Sequence, residues 1–347
     1  MNGYFSRNRW WIRRTLALPL HIFIFATLAF FLARLVPGDP VAVTLEAANG
    51  YTKADYAKAA EAMGLGGTLW DQLLTFWTRL FHGNLGTSLI SGRAVLPDIW
   101  SRLPSTLELV GVGLVGAALL SVALGLVLLT TENRVAQRLI RGYSQTAGTV
   151  PPFALAVVGI FVFFVILHWL PAPLGRLGNG VQEATITGFP LLDALLTGNG
   201  AAFEQICIHY ILPVAVIVLC YTPYIFGQLV VGLDDAANSA ATLFRIASGA
   251  KRAAVYLSIF RRAASSSIVM FAGLFGGLIG GVVVLEQLFS FGGIGQFAVD
   301  AVDTSDFVAL QGFLIVVAAI CLVIFLLVDI VNMLLDPRRR PGEAVSS

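Results

Sequence analysis

The side chains able to do chemistry are few and far apart. His21, His82, His168 and His209 are scattered along the chain and no HExxH is present, so the spacing assembles no metal site. Lys53, Lys58 and Lys251 are the only lysines and none closes a GxxxxGK(S/T) sequence, which excludes a phosphate loop of that kind. Cys207, Cys220 and Cys321 are odd in number, lie in or beside apolar runs and lack ligand spacing, so they read as free thiols. Asp300, Asp303 and Asp306 recur every three residues in "VDAVDTSDF". With no partner ligand they read as a solvated acidic rim that at most attracts cations. The expectation is a chain that is not an enzyme, binds no metal and carries no cofactor of its own.

One dense cluster of charge remains. "FRIASGAKRAAVYLSIFRRA" (residues 244–263) sets Arg245, Lys251, Arg252, Arg261 and Arg262 around Gly249, between two apolar runs. A glycine there lets two short helices meet at a sharp turn, and a basic, exposed surface suits a soluble partner.

The elements that must position this cluster follow from composition. Of the 347 residues, 57% are hydrophobic and 12% charged, where a soluble domain has roughly a quarter charged. An all-α integral membrane protein is predicted, with the lipid bilayer as its surroundings and no nucleic acid partner. Six segments are apolar enough to cross a core of about 30 Å: 15–36, 107–130, 150–170, 211–233, 267–288 and 307–334. An even number places both termini on one side, and Arg7, Arg9, Arg13, Arg14, Arg134, Arg138, Arg141, the 244–263 cluster and Arg338–Arg340 mark that side as cytoplasmic. The domain reading is a cytoplasmic N-terminus (1–14), a first crossing (15–36), an extracytoplasmic loop with short amphipathic helices (37–104), a core (105–334) that includes a cytoplasmic loop (234–266), and a cytoplasmic tail (335–347). The first crossing ends in "LVPGDP", without a small-x-small cleavage site, and so reads as a retained helix.

Local signals mark several element ends. Thr52 with Asp55, and Thr68 with Asp71, read as N-caps of two short helices stopped by Gly64 and Gly83. The second helix would gather Leu69, Trp70, Leu73, Trp77, Leu80 and Phe81 on one apolar face. Ser105 and Glu108 read as a capping box that opens the second crossing after Pro104. Pro223 is expected to kink the fourth by removing one backbone hydrogen bond. In the fifth, Gly273, Gly277 and Gly281, with Gly276 and Gly280, form a small-xxx-small face that another helix can approach closely, either as a static interface or as a helix that moves. Ionisable residues in the spans, Arg34, Glu108, Glu286 and Asp329, fall near their ends, within snorkelling reach of the interface.

Several stretches in register resemble the permease subunits of the oligopeptide/dipeptide/nickel class of binding-protein-dependent ABC importers. They are "RRTLALPLHIFIFATLAFFLARLVPGDPV", "HGNLGTSLISGRAVLPDIWSRLPSTLEL", "VPPFALAVVGIFVFFVILHWLPA", "HYILPV", "LEQLFSFGGIGQFAVDAVDTSDFVALQG" and "LLDPRRR". The resemblance spans nearly the whole chain and implies the type I importer permease fold in a bacterial inner membrane. It implies a second homologous permease, two cytoplasmic ATPase subunits that bind the ATP and Mg, and an extracytoplasmic substrate-binding protein. It also implies that "IASG" (246–249), with Ala247 and Gly249, is the ATPase-coupling motif, and that Arg262 matches a commonly basic position. The chain departs from the pattern at Ser267, where proline is usual, and at Gln296, where a basic residue is usual. A stand-alone transporter driven by an ion gradient is the alternative; it would need a carboxylate or broken helix pair at the membrane midplane.

Overall fold

In the computed structural model of the chain, two of the three predicted helix-start signals, Thr52 with Asp55 and Thr68 with Asp71, form as capping boxes. The model describes residues 9–35, 41, 42, 45, 52–88, 90–178 and 185–335. Arg7, the "VPGDP" stretch and Arg338–Arg340 lie outside the described residues. After α1 (Arg9–Ala33) comes α2 (Lys53–Met63), in which the Thr52 hydroxyl accepts from Asp55 N while Asp55 accepts from Thr52 N. Hydrogen bonds from the Thr52 hydroxyl and then from its backbone hold the Asp55 carboxyl below its ordinary range. Gly64 ends α2 at φ 75°. The same box, Thr68 with Asp71, opens α3 (Leu69–Phe81).

The expected single apolar face of α3 is divided. Trp77 stacks on Phe23 of α1 with ring centroids 4.3 Å apart, and Phe76 and Leu80 join that contact, whereas Leu69, Trp70 and Phe81 stand exposed. Docking on α1 takes only the part of the face that α1 is wide enough to cover.

The second long helix begins earlier than its sequence suggests. α4 spans Val95–Thr130 and carries Pro104 inside it, so Ser105 and Glu108 are not a capping box. A short antiparallel bridge, Thr87 to Ala94, and the bond from Val95 N to Gly86 O start the helix upstream. Pro104 forgoes only the bond to the Trp100 carbonyl, at an exposed residue. Glu108 is turned to other use: its Oε1 accepts from Leu191 N at 2.7 Å.

Next come α5 (Arg134–Ser144), capped by Asn133, and α6 (Pro152–Gly159), which continues as a π-helical stretch, Ile160–Ile166. The short α7 (Pro190–Leu196) is followed by α8 (Gly200–Ala237), α9 (Ala240–Ala247), α10 (Arg252–Phe289), α11 (Ile294–Asp303) and α12 (Phe307–Leu335). Asp193 in the first turn of α7 accepts from the loop before it: from Ile186 N, Thr187 N, the Thr187 hydroxyl and Gly188 N. Burial pushes the Asp193 carboxyl up, but these hydrogen bonds outweigh it and hold it below the ordinary range.

Four of the described helices are long and apolar enough to cross a membrane: Val95–Thr130, Gly200–Ala237, Ser267–Phe289 and Phe307–Val328. Two more apolar stretches, Ala17–Leu32 and Pro152–Ile166, are each shorter than 18 residues. The segment expected to cross at 150–170 is thus a shorter helix that starts only at Pro152.

α8 is the central post. It packs on α4 along one side and on α10 along the other, while α12 packs on α10 and α1. Buried side chains gather in successive clusters along it: Leu109, Ile217 and Leu285 in one, Leu128, Phe226, Leu233 and Ile259 in another. A third cluster, Ile99, Ile279 and Phe297, joins α4, α10 and α11. Away from these contacts α4 shows a run of exposed large apolar residues, Val115, Leu119, Val122 and Leu126. Such a surface is stable only against lipid or another apolar partner.

Candidate coupling site and the two ends of helix α10

α9 is short, and its ends are fastened differently. At its start Ser239 caps it, accepting from Thr242 N at 3.4 Å. Thr242 is buried, and its hydroxyl donates to Ala236 O at 2.7 Å. Arg262, nearly three turns into α10 by sequence, reaches back over this junction. Its Nη1 donates to Ser239 Oγ at 2.7 Å, its Nη2 to Ala236 O at 3.3 Å and to the Thr242 hydroxyl, and its Nε to Ser258 O at 3.1 Å. A planar guanidinium can hold several acceptors at once in fixed geometry, which an ammonium cannot.

At its far end α9 stops in a left-handed turn. Gly249 has φ 74°, its N–H donates to Ile246 O, and Ala250 N donates to Arg245 O. A Cβ at Gly249 would meet nothing within 4 Å. The glycine is therefore required by backbone conformation and not by space. The chain turns at once into α10, whose N-cap is Lys251.

The structure brings Arg245, Ala247, Gly249, Lys251 and Arg252 onto one exposed end of the molecule. Arg262 belongs to the same end but is directed back into the fold. Three large apolar side chains share the exposed surface: Leu243, Phe244 and Ile246, the second of them 73% exposed. Sequence reasoning missed these three, although apolar residues in a short helix outside the membrane-length runs were the signal. Nearby, Arg141 of α5 makes a bidentate pair with Asp234 of α8, at 2.8 and 2.9 Å. Hydrogen bonding to that carboxylate pushes the Arg141 pKa up.

Residue Glu286, expected to snorkel, is instead wholly buried at the opposite end of α10. It accepts from the Thr106 hydroxyl at 2.5 Å, from Gly295 N at 2.8 Å and from Gln296 N at 3.3 Å. Thr106 in turn accepts from Ile294 N at 2.9 Å. The carboxylate thus ties α4 to the first turn of α11, where backbone N–H groups have no helical partner and favour an anion. A Cβ on Gly293 would fall 2.1 Å from a Glu286 oxygen, and one on Gly295 2.6 Å from Val283 Cα. Gln296 also accepts from Gly292 N at 3.0 Å. The legible signal was the glycine pair in "FGGIGQ" downstream of a lone glutamate. Arg34 does not snorkel either: its Nε and Nη2 donate to Gln72 Oε1.

The acidic triplet is not one rim. Asp300 and Asp303 are exposed, but Asp306 is buried and accepts from Ser88 Oγ at 2.6 Å and Ala309 N at 3.0 Å. It caps α12 and holds the loop before α4, so its position in the turn between α11 and α12 takes it out of the solvated face. The glycines of α10 divide as well. Gly276 lies against Phe325 of α12, where a Cβ would come within 2.8 Å, and a Cβ on Gly281 would lie 3.6 Å from the Tyr221 hydroxyl of α8. Gly273, Gly277 and Gly280 have nothing within 4 Å and line an exposed stripe.

Membrane-length helices around a central post, with a short capped helix presented at one end, define a multi-pass membrane protein. Its residues 117–341 match the model of the family described as binding-protein-dependent transport system inner membrane component, and the chain belongs to that family. A protein named "Probable D,D-dipeptide transport system permease protein DdpB" from Escherichia coli (strain K12) is 32% identical over 313 residues, covering 90% of this chain and 91% of the relative. The di/tripeptide transport system permease protein DppB of Pseudomonas aeruginosa (strain UCBPP-PA14) is 29% identical over 334 residues, with 95% and 98% covered. The metal-staphylopine import system permease protein CntB of Staphylococcus aureus (strain NCTC 8325 / PS 47) is 28% identical over 334 residues, with the same coverage. The chain is a permease subunit of an ABC importer and not an enzyme, which sets aside a stand-alone transporter driven by an ion gradient.

Proposed function

We propose that the chain forms one half of a path for peptides or peptide-like solutes across the cytoplasmic membrane. In this reading it crosses six times with both termini in the cytoplasm. It pairs with a second homologous permease, receives solute from an extracytoplasmic binding protein and is driven by two cytoplasmic ATPases that carry the ATP and Mg. The relatives named for dipeptide and tripeptide transport support the solute class. The observation that carries the reading is α9: a helix capped by Ser239, ended by Gly249, showing Leu243, Phe244 and Ile246 outward, and tied by Arg262 to the transmembrane α10. Apolar side chains amid arginines form a patch that a soluble partner can cover. When the ATPases close on ATP they displace α9, and the Arg262 tie passes that displacement to α10 and its open glycine stripe, so that access alternates.

The test is purification of the complex in mild detergent from its native host, with identification of bound subunits and an ATPase assay, for wild type and Gly249→Asp. Co-purification of ATPases with wild type and their loss from the variant is the expected result. Wild-type complex that lacks ATPases would overturn the reading.

A further inference from the structure

A polar, non-helical stretch of backbone lies at the middle depth of this protein. The apolar run of α8 from Ile211 to Leu233 lies between His209 and Asp234 and is centred on Thr222. α4 agrees on that depth, because the Thr222 hydroxyl donates to Ala117 O at 3.3 Å, near the centre of the apolar run of α4. The segment between α5 and α6 meets α8 at this level. Cys220 Sγ lies 3.9 Å from Val150 O, and a Cβ on Gly148 would fall 2.8 Å from the Tyr224 hydroxyl. Tyr143 anchors the segment by a bond with a clear cause: Pro223 has no N–H to give the Leu219 carbonyl four residues earlier, and the Tyr143 hydroxyl donates to that carbonyl at 2.9 Å.

Gln145, Thr146, Ala147, Gly148, Thr149 and Val150 are all exposed. Irregular backbone facing hydrocarbon carries a cost of several kcal/mol for each unsatisfied polar group, so at this depth it persists only under protein cover or beside water. Contrast Leu119 on α4, at the same level, which is 65% exposed and purely apolar, as a lipid-facing residue is. The Tyr224 ring lies 6.1 Å from that of Tyr221, whose hydroxyl faces Gly281 of α10. The break, the tyrosine pair and α10 are therefore one continuous surface.

We infer that residues 145–149, with Tyr221 and Tyr224, form a water-filled wall of the translocation path at mid-membrane. There the tyrosine hydroxyls, the Gln145 side chain and the hydroxyl oxygens of Thr146 and Thr149 replace water around the amide groups of a passing peptide, while the threonine hydroxyls and backbone N–H groups donate within the segment's own turns. This rests on the reading of the chain as half of an importer path, and it adds which part of the chain meets the solute.

The test uses the full complex in membrane vesicles, with Cys207, Cys220 and Cys321 replaced by alanine and a single cysteine placed as Thr146→Cys, Thr149→Cys or Leu119→Cys. A thiolate, whose formation needs water, attacks the sulfenyl sulfur of a charged methanethiosulfonate reagent and expels methanesulfinate, so the first two are expected to react at least about tenfold faster than the third. ATP with vanadate, which traps the ATPases closed, is expected to change those two rates several-fold and leave Leu119→Cys unmoved. Rates no faster than Leu119→Cys mean cover by protein or lipid and overturn the inference. Fast rates that ATP and vanadate do not change mean a static water pocket and overturn it too. Hydrogen–deuterium exchange on the unmodified complex gives a reading free of substitutions, in which a protected 145–150 peptide again sinks the idea. Failure of the importer reading is seen separately, as absence of ATPases from the unmodified complex.

Discussion

Toward each end of helix α10 a charged residue, Arg262 or Glu286, holds a short helix, and the two arrangements are built on different principles. At one end Glu286 is fully enclosed, takes three hydrogen bonds and sits where glycines leave no room for any other side chain. At the other, Arg262 lies at the surface and grips Ser239, Thr242 and Ala236 with a long side chain. The first is a lock, since an enclosed carboxylate has no water to fall back on when a donor leaves. The second is a tie that can be released and remade, because water can replace each partner. A helix anchored rigidly at one end and gripped adjustably at the other suits a lever, and in the proposed reading its movable end is the one that meets the ATPases.

The largest effect is expected from Gly295→Val. Its Cβ would lie 2.6 Å from Val283 Cα, a backbone atom that cannot step aside. Overpacking of this kind costs about 3 kcal/mol or more, and the amount of protein recovered from membranes is expected to collapse; normal recovery would mean that the lock is looser than its geometry. Glu286→Ala comes next. It leaves Thr106, Gly295 and Gln296 without their shared buried acceptor, a loss on the order of 1–3 kcal/mol, and thermal unfolding in detergent is expected to fall by several degrees.

Arg262→Ala separates tie from lock. Recovery and unfolding temperature are expected to change little, while ATP hydrolysis continues without uptake. Arg262→Lys is expected to restore only part of the coupling, since an ammonium cannot reproduce the fork. Equal loss of stability in Arg262→Ala and Glu286→Ala would erase the proposed difference between the two ends. Tyr143→Phe removes the bond to the Leu219 carbonyl and is expected to cost about 1 kcal/mol, read as a small drop in unfolding temperature. The smallest change is Arg141→Ala, which breaks a half-exposed pair with Asp234 worth about 0.2–1 kcal/mol, near the resolution of the same measurement.

Much of this was legible wherever cause and effect are neighbours along the chain. Thr52 with Asp55 and Thr68 with Asp71 cap helices because a cap is satisfied within three residues. Gly64 and Gly249 take the left-handed turns that end their helices. The same local reasoning failed for Ser105 and Glu108, because α4 had already been started by contacts around Gly86 and Val95, and Glu108 was claimed by Leu191 N, far along the chain. Asp300, Asp303 and Asp306 look alike in the sequence. Only the arrival of Ser88, 218 residues away, buries the third.

The amino-acid sequence determined by itself that this chain lives in a bilayer, which segments are apolar enough to enter it and where the basic, glycine-turned segment stands. Those properties sum over short windows and need no partner. The tertiary structure alone decided that Arg262 faces inward as a tie, that Glu286 is enclosed as a lock and that Tyr143 completes the bond Pro223 leaves open. Each of those roles depends on a donor or acceptor from a distant part of the chain, and a buried polar group is assigned by the partner that reaches it.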